Sequence, residues 1–197
     1  MKVYLIRHGR TKGNLEHRYV GSTDEGLLKE EAERIRQIRG VYPEPELLFV
    51  SPKKRCIETA ALLYPDQKPQ VISNLRECDF GVFEYKNYKE LQGNAAYQAW
   101  IDSGGLLAFP DGESRELFQK RCVNSFEQCC RQAKEKHAAS IGFVVHGGTI
   151  MAVLDHFSDP HRYYFEWQVK KIEGFSCELS FCGEEIRLAA VEKLQPI

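Results

Sequence analysis

Three short apolar runs punctuate the chain: Val3-Tyr4-Leu5-Ile6, Leu47-Leu48-Phe49-Val50 and Ile141-Gly142-Phe143-Val144-Val145. Each has the length of a buried strand, and each gives way at once to a Gly- or Pro-containing turn. Between them the period changes to that of a helix. Leu28, Ala32, Ile35 and Ile38 share one face of a helix predicted over Leu27 to Arg39, and Phe118, Cys122, Phe126, Cys129 and Ala133 share one over about 115–137. Ser51-Pro52 supplies an N-cap and a favoured first residue for a helix after the second run. Ile150 to Phe157 predicts a helix after the third. Val71-Ile72 reads as a short strand, while Ile172 to Ser180 and Ile186 to Val191 read as a closing pair around Cys182-Gly183-Glu184-Glu185. Strands alternating with helices predict an α/β fold with a mostly parallel sheet.

One tract departs from this alternation. From Phe80 to Phe109 the chain carries Phe80, Phe83, Tyr85, Tyr88, Tyr97, Trp100 and Phe109, with only Lys86 and Lys89 as cations. It reads as a helical insertion, about 82–112, hinged at Gly104-Gly105. Aromatic residues at helical spacing are most simply local core, and the remainder could contact an apolar or aromatic ligand.

Composition narrows the classes. The 197 residues suit a single domain. A net charge of −1 provides no global field for nucleic acid or an anionic membrane, so any anion recognition must be local. Lys2 is followed by only four apolar residues before Arg7, which is no secretory signal. No run approaches the roughly 18 to 20 apolar residues of a membrane span. The seven cysteines are odd in number and form no C-x-x-C pair, which argues against a zinc ribbon or a thioredoxin-like site. Free thiols in a reducing cytoplasm are the expectation. Asp155-His156 and Asp159-Pro160-His161 lack the H-E-x-x-H pattern, so neither a metal nor another cofactor is expected.

Candidate chemistry gathers at the ends of the apolar runs. Arg7-His8-Gly9 follows the first and His146-Gly147-Gly148 the third. A buried guanidinium keeps its charge and needs an anion, while an imidazole beside it is pushed toward its neutral, nucleophilic form. That pairing suits a phosphoryl group. Parallel strands present their carboxyl ends on one sheet edge, where ligands of α/β proteins bind, so His8 and His146 could meet. Arg55 lies in the first turn of the helix after Ser51-Pro52, where a cation is electrostatically disfavoured. A phosphoryl partner would account for it, as would a structural salt bridge. Thr11 to Asn14 could form a turn or short helix presenting N–H groups to an anion.

These residues stand in a recognisable order. Leu5-Ile6-Arg7-His8-Gly9-Arg10-Thr11 with Asn14, Ser51-Pro52 with Arg55 and Thr59-Ala60, Leu75-Arg76-Glu77 with Asp79-Phe80-Gly81, Gly112-Glu113-Ser114, and His146-Gly147 together resemble the histidine phosphatase superfamily, also called phosphoglycerate mutase-like. The tract from Glu77 to Ser114 is most similar to the small phosphatases, including α-ribazole phosphatases. The resemblance implies a three-layer α/β sandwich with the helical insertion over the active site. It implies His8 as nucleophile, Arg7, Arg55 and His146 as phosphoryl ligands, and Glu77 as proton donor and later base. Asn14, Val20, Gly21, Ser114 and Gly147 are implied to border the pocket. Phe83-Glu84-Tyr85 stands where related phosphatases often have Trp-Glu-Gly, which bears on substrate identity.

The expected activity is therefore metal-independent hydrolysis of a small phosphomonoester, with α-ribazole 5'-phosphate a candidate and a monomer or homodimer as the assembly. A phosphoglycerate mutase is the alternative. Such an enzyme would favour extra cations for a substrate carboxylate, and few lie between Glu77 and Ser114. A non-catalytic phosphate-binding module is the third reading, opposed by the retention of Arg7, His8, Arg55, Glu77 and His146 together.

Overall fold

The computed structural model describes residues 1–196. Six strands, β1 (Lys2–Arg7), β2 (Leu47–Val50), β3 (Gln70–Val71), β4 (Ser140–Val145), β5 (Gly174–Cys182) and β6 (Glu185–Leu194), form one sheet in the order β3-β2-β4-β1-β5-β6. The first four are parallel, and β5 and β6 close the sheet antiparallel. The register sets the site. Arg7 pairs with Val145 and Val50 with Val144, so His8, His146 and Ser51 leave the sheet side by side on its carboxyl edge.

Alternation along the strands makes three layers. Leu5, Phe143 and Val145 face α5 (Arg115–Glu135) and α6 (Gly147–Phe157), where Phe126, Val153 and Leu154 complete one core. Ile6, Val144, Leu48 and Val50 face α2 (Lys29–Gln37) and α3 (Lys54–Leu63), packing on Ile35, Cys56 and Ala60. Each such side chain contributes about 1.5–3 kcal/mol by leaving water.

Several boundaries differ from the sequence-based expectation, each for a local reason. β5 begins at Gly174 rather than Ile172, because Ile172 takes a left-handed backbone (φ 69°) that interrupts extended pairing. α3 begins at Lys54, with the Asp24 carboxylate accepting from its N–H at 2.8 Å. The Ser51 hydroxyl is directed mainly at His146 instead. Glu31, at 1% exposure, is the buried polar residue of α2, paired with Arg10 at 3.0 Å. The 82–112 tract holds a single helix, α4 (Ala95–Asp102), and is otherwise built from turns. Its Phe83, Leu91, Tyr97 and Phe109 pack on Phe118, Cys122 and Ala152 as a third core. No described helix is long and apolar enough to cross a membrane.

Candidate active site

His8 and His146 meet. Their ring centroids lie 5.1 Å apart, edge to face, and both rings are nearly inaccessible. His8 Nδ1 lies 2.7 Å from the Gly9 carbonyl oxygen, which can only accept, so Nδ1 carries the proton and Nε2 the lone pair. Gly9 leaves no room for a side chain, because an added Cβ would stand 2.8 Å from Ile35 Cδ1. Its N–H is held by Thr59 Oγ1 at 3.0 Å, which fixes the peptide that orients His8.

Two guanidinium groups flank the histidines. Arg7 Nη1 donates to the Val169 carbonyl at 2.6 Å, and Arg55 donates to the carbonyls of Thr23, Val20 and Gly21 at 2.9, 3.2 and 3.2 Å. The Nε atoms of both are buried with no partner among the described residues. Buried N–H donors are rarely left so, and the charges of both arginines bear on the two imidazoles.

Glu77 lies across from them, with Oε2 4.0 Å from His146 Nδ1 and Oε1 accepting from the Cys78 N–H at 3.0 Å. His146 Nε2 is 2.6 Å from Ser51 Oγ. Gly147 and Gly148 open the first turn of α6 to this cluster. A Cβ on Gly147 would come within 3.1 Å of Arg7 Cζ, and one on Gly148 within 2.7 Å of Glu77 Oε1. Arg121 on α5 holds the Glu77 backbone, donating to its carbonyl at 3.0 Å while pairing through both arms with Glu113.

The electrostatics favour neutral imidazoles. Burial first, then the charges of Lys171, His146, Arg55 and Arg7, holds His8 well below the usual histidine range. Burial and Arg55, Lys171 and Arg7 do the same for His146. Burial also pushes the Cys56 thiol, 3.6 Å from His146 Nε2, up to about 12, so it is no competing nucleophile.

The chain matches a family model described as "Histidine phosphatase superfamily (branch 1)" over residues 3–188. It belongs to that superfamily. An adenosylcobalamin/alpha-ribazole phosphatase of Escherichia coli K12 is 27% identical over 160 residues, covering 78% of this chain and 77% of that protein. A probable phosphoglycerate mutase of Proteus mirabilis is 28% identical over 162 residues, covering 78% and 73%. The crystal structure of an alpha-ribazole phosphatase from Shigella flexneri superposes with a TM-score of 0.78 at 20% identity, covering 95% of this chain and 94% of that one. This last likeness concerns the fold.

Within this histidine phosphatase, the other site residues named from sequence take varied places. Val20 and Gly21 offer their carbonyls to Arg55, and their loop is itself held by the Glu84 carboxylate through the N–H groups of Gly21 and Thr23. Asn14 closes a capping box with Thr11 on α1 (Lys12–Leu15), whose Gly13 N–H is taken by Glu25. The N–H groups of Thr11, Gly13 and Asn14 are thus already engaged, contrary to the expectation that they face an anion. Ser114 caps α5, accepting from the Leu117 N–H at 3.2 Å.

A cavity of about 580 Å³ opens from Arg7, Glu77, Gly147 and Gly148. Its walls include Phe80, Trp100, Phe109, Phe118, Met151 and Phe165. Trp100 Nε1 is buried without a partner among the described residues, and the Arg115 guanidinium stacks 4.2 Å from the Tyr164 ring centroid. Tyr85 adopts φ 58° and anchors itself by its hydroxyl to Glu25 and its carbonyl to Arg18, outside the chamber lining.

Sequence reasoning missed Lys171, whose Nζ lies 3.1 Å from His8 Nε2. It also missed Glu84 and Arg121, which hold the loops behind Arg55 and Glu77. Lys171 belongs to an ordinary Lys-Lys pair before a predicted strand, and nothing in its spacing marks it.

Proposed function

We propose that this histidine phosphatase hydrolyses small phosphomonoesters through a phosphohistidine on His8, without a metal, and that the alcohol it releases is apolar or aromatic. The observation that carries the reading is the His8 tautomer: Nδ1–H held by the Gly9 carbonyl leaves the Nε2 lone pair among the positive charges of Lys171, Arg55 and Arg7. Nε2 attacks phosphorus as the ester P–O bond breaks. Arg7, Arg55 and His146 stabilise charge on the equatorial oxygens. Glu77 gives its proton to the departing oxygen, then takes one from the water that cleaves the N–P bond. The guanidinium groups supply the positive charge. Among the described residues, no three His, Cys, Asp or Glu side chains cluster closely enough to hold a metal ion.

The chamber suggests the alcohol. An aromatic lining suits a flat apolar ring, and α-ribazole 5'-phosphate has such a ring. One observation favours a phosphoglycerate mutase instead. Arg115 makes no hydrogen bond or ion pair among the described residues and could receive a substrate carboxylate.

The test is hydrolysis of an aryl phosphate in excess chelator by wild type and His8→Ala, with phosphoenzyme trapped in parallel. Wild type should turn over and form an acid-labile, alkali-stable phosphoenzyme, and His8→Ala should lose about 10⁴-fold or more in kcat and form none. Turnover that survives His8→Ala would overturn the reading. Phosphoryl return to added phosphoglycerate in place of water would favour the mutase.

A further inference from the structure

We propose that Lys171 is a third cationic ligand of the transferring phosphoryl group, and that before substrate arrives the same side chain rests on the lone pair of His8. The proposal rests on the phosphohistidine reading above and adds a residue to it.

Position comes first. His8 Nε2 carries the lone pair, and Lys171 Nζ is its hydrogen-bond partner at 3.1 Å. In-line attack needs phosphorus at about 3–3.5 Å from the same nitrogen. Nζ therefore occupies the place that phosphorus must take. The side chain has to move before transfer, and an arriving phosphoryl group brings acceptor oxygens for it.

Lys171 also lacks the partner that would make it structural. Its one side-chain hydrogen bond among the described residues is to His8, and it forms no ion pair with a described carboxylate. Around it stand Arg7, Arg55, His8, His146 and the Cys56 thiol, with Glu77 the one acid. A partly buried lysine facing cations is unfavourable unless an anion visits. Burial first and then Arg7 and Arg55 press its pKa well below the usual lysine range. A phosphoryl dianion would oppose that pressure and favour the charged side chain.

The backbone fixes the base of this side chain. Arg7 donates to the Val169 carbonyl, and the Ile172 N–H donates to the Arg7 carbonyl at 3.0 Å. Ile172, fully buried in a left-handed conformation, turns the chain immediately after Lys171. In the transfer step, the N–P bond forms at Nε2 and the ester P–O bond breaks. The departing oxygen takes the proton of Glu77. Lys171 keeps its own protons and shifts an N–H from His8 to an equatorial oxygen.

The experiment uses the full chain with Lys171→Met, Lys171→Gln and Lys171→Arg. It measures kcat/KM on 4-nitrophenyl and phenyl phosphate, the affinity for inorganic phosphate by calorimetry, and Tm. Both neutral variants should lose about 100-fold in kcat/KM. The loss should be equal on the two esters, because Lys171 acts on the phosphoryl group and not on the leaving oxygen. Inorganic phosphate should bind about tenfold more weakly to both, and Lys171→Arg should regain part of each loss. The Tm of Lys171→Met should match or exceed that of wild type, because an unpaired, partly buried cation has been removed. Neutral variants within about threefold of wild type, or faster, would show Lys171 to be a mere cover and overturn the proposal. If wild type neither hydrolyses esters nor forms phosphoenzyme, the phosphatase reading fails on its own. Phosphate affinity still decides on Lys171, with unchanged binding overturning it.

Discussion

His8, His146 and Ser51 are each the first residue beyond a strand, on β1, β4 and β2, whereas Trp100, Phe109, Phe118 and Phe165 reach the neighbouring chamber from α4, a loop, α5 and the 3₁₀ turn Tyr164–Trp167. The two halves of one crevice are thus built differently. In the phosphoryl pocket, sheet register sets the spacing, and three of the side chains are held by backbone carbonyls: His8 by Gly9, Arg7 by Val169, Arg55 by Thr23, Val20 and Gly21. In the chamber, apolar surfaces from separate elements lean together with few directional contacts. Transfer chemistry is therefore rigid and local, while the choice of alcohol is left to packing that can change without disturbing it.

The sharpest way to break this division is Arg55→Lys. An ammonium cannot reproduce the fork that grips three carbonyls. Steady-state kinetics should show kcat/KM falling about 10²- to 10³-fold for every ester alike. A loss confined to bulky esters would contradict the division. A smaller effect belongs to the chamber. Trp100→Ala removes a ring stacked near Phe109 at a 5.1 Å centroid distance. It should raise KM for a naphthyl phosphate about tenfold and leave kcat/KM for a small alkyl phosphate unchanged. Equal losses on both substrates would place Trp100 in the transfer machinery.

The smallest expected effect is on stability. His8 and His146 are held neutral below the usual imidazole range, so the unfolded chain takes up their protons first as pH falls. Stability should be full above about pH 6.5 and decline below it, by up to about 1.4 kcal/mol per pH unit for each histidine. Urea unfolding between about pH 5 and 7.5 checks this, and His146→Asn should lower the slope. An unchanged slope would place the proton uptake elsewhere.

This contrast also explains what sequence could reveal. Arg7, His8, Arg55 and His146 lie directly after apolar runs or in the following helix, so pattern and family motif both point to them. The sheet is legible for the same reason, since β1, β2 and β4 are unbroken apolar segments. The chamber is harder to read. Tyr97 and Trp100 sit three apart on α4 and look equivalent in sequence, yet Tyr97 packs into the third core while Trp100 faces the cavity. Which one does so depends on where Phe83 and Phe109 arrive. Lys171 is hidden more deeply, because its place depends on the left-handed turn at Ile172, a residue type that gives no warning of such a backbone.

The thiols have a practical consequence. Six of the seven cysteines are buried, and Cys182 alone is exposed, at the end of β5. Gly174, at the start of that strand, pairs with Ile6 beside the pocket, which puts Cys182 roughly 26 Å away along the strand at about 3.3 Å per residue. A maleimide dye would therefore enter the native protein at one point, remote from the chemistry. The same reagent counts molecules that have opened: one equivalent consumed reports the folded chain, and further equivalents report its unfolding in real time, without engineering a single residue.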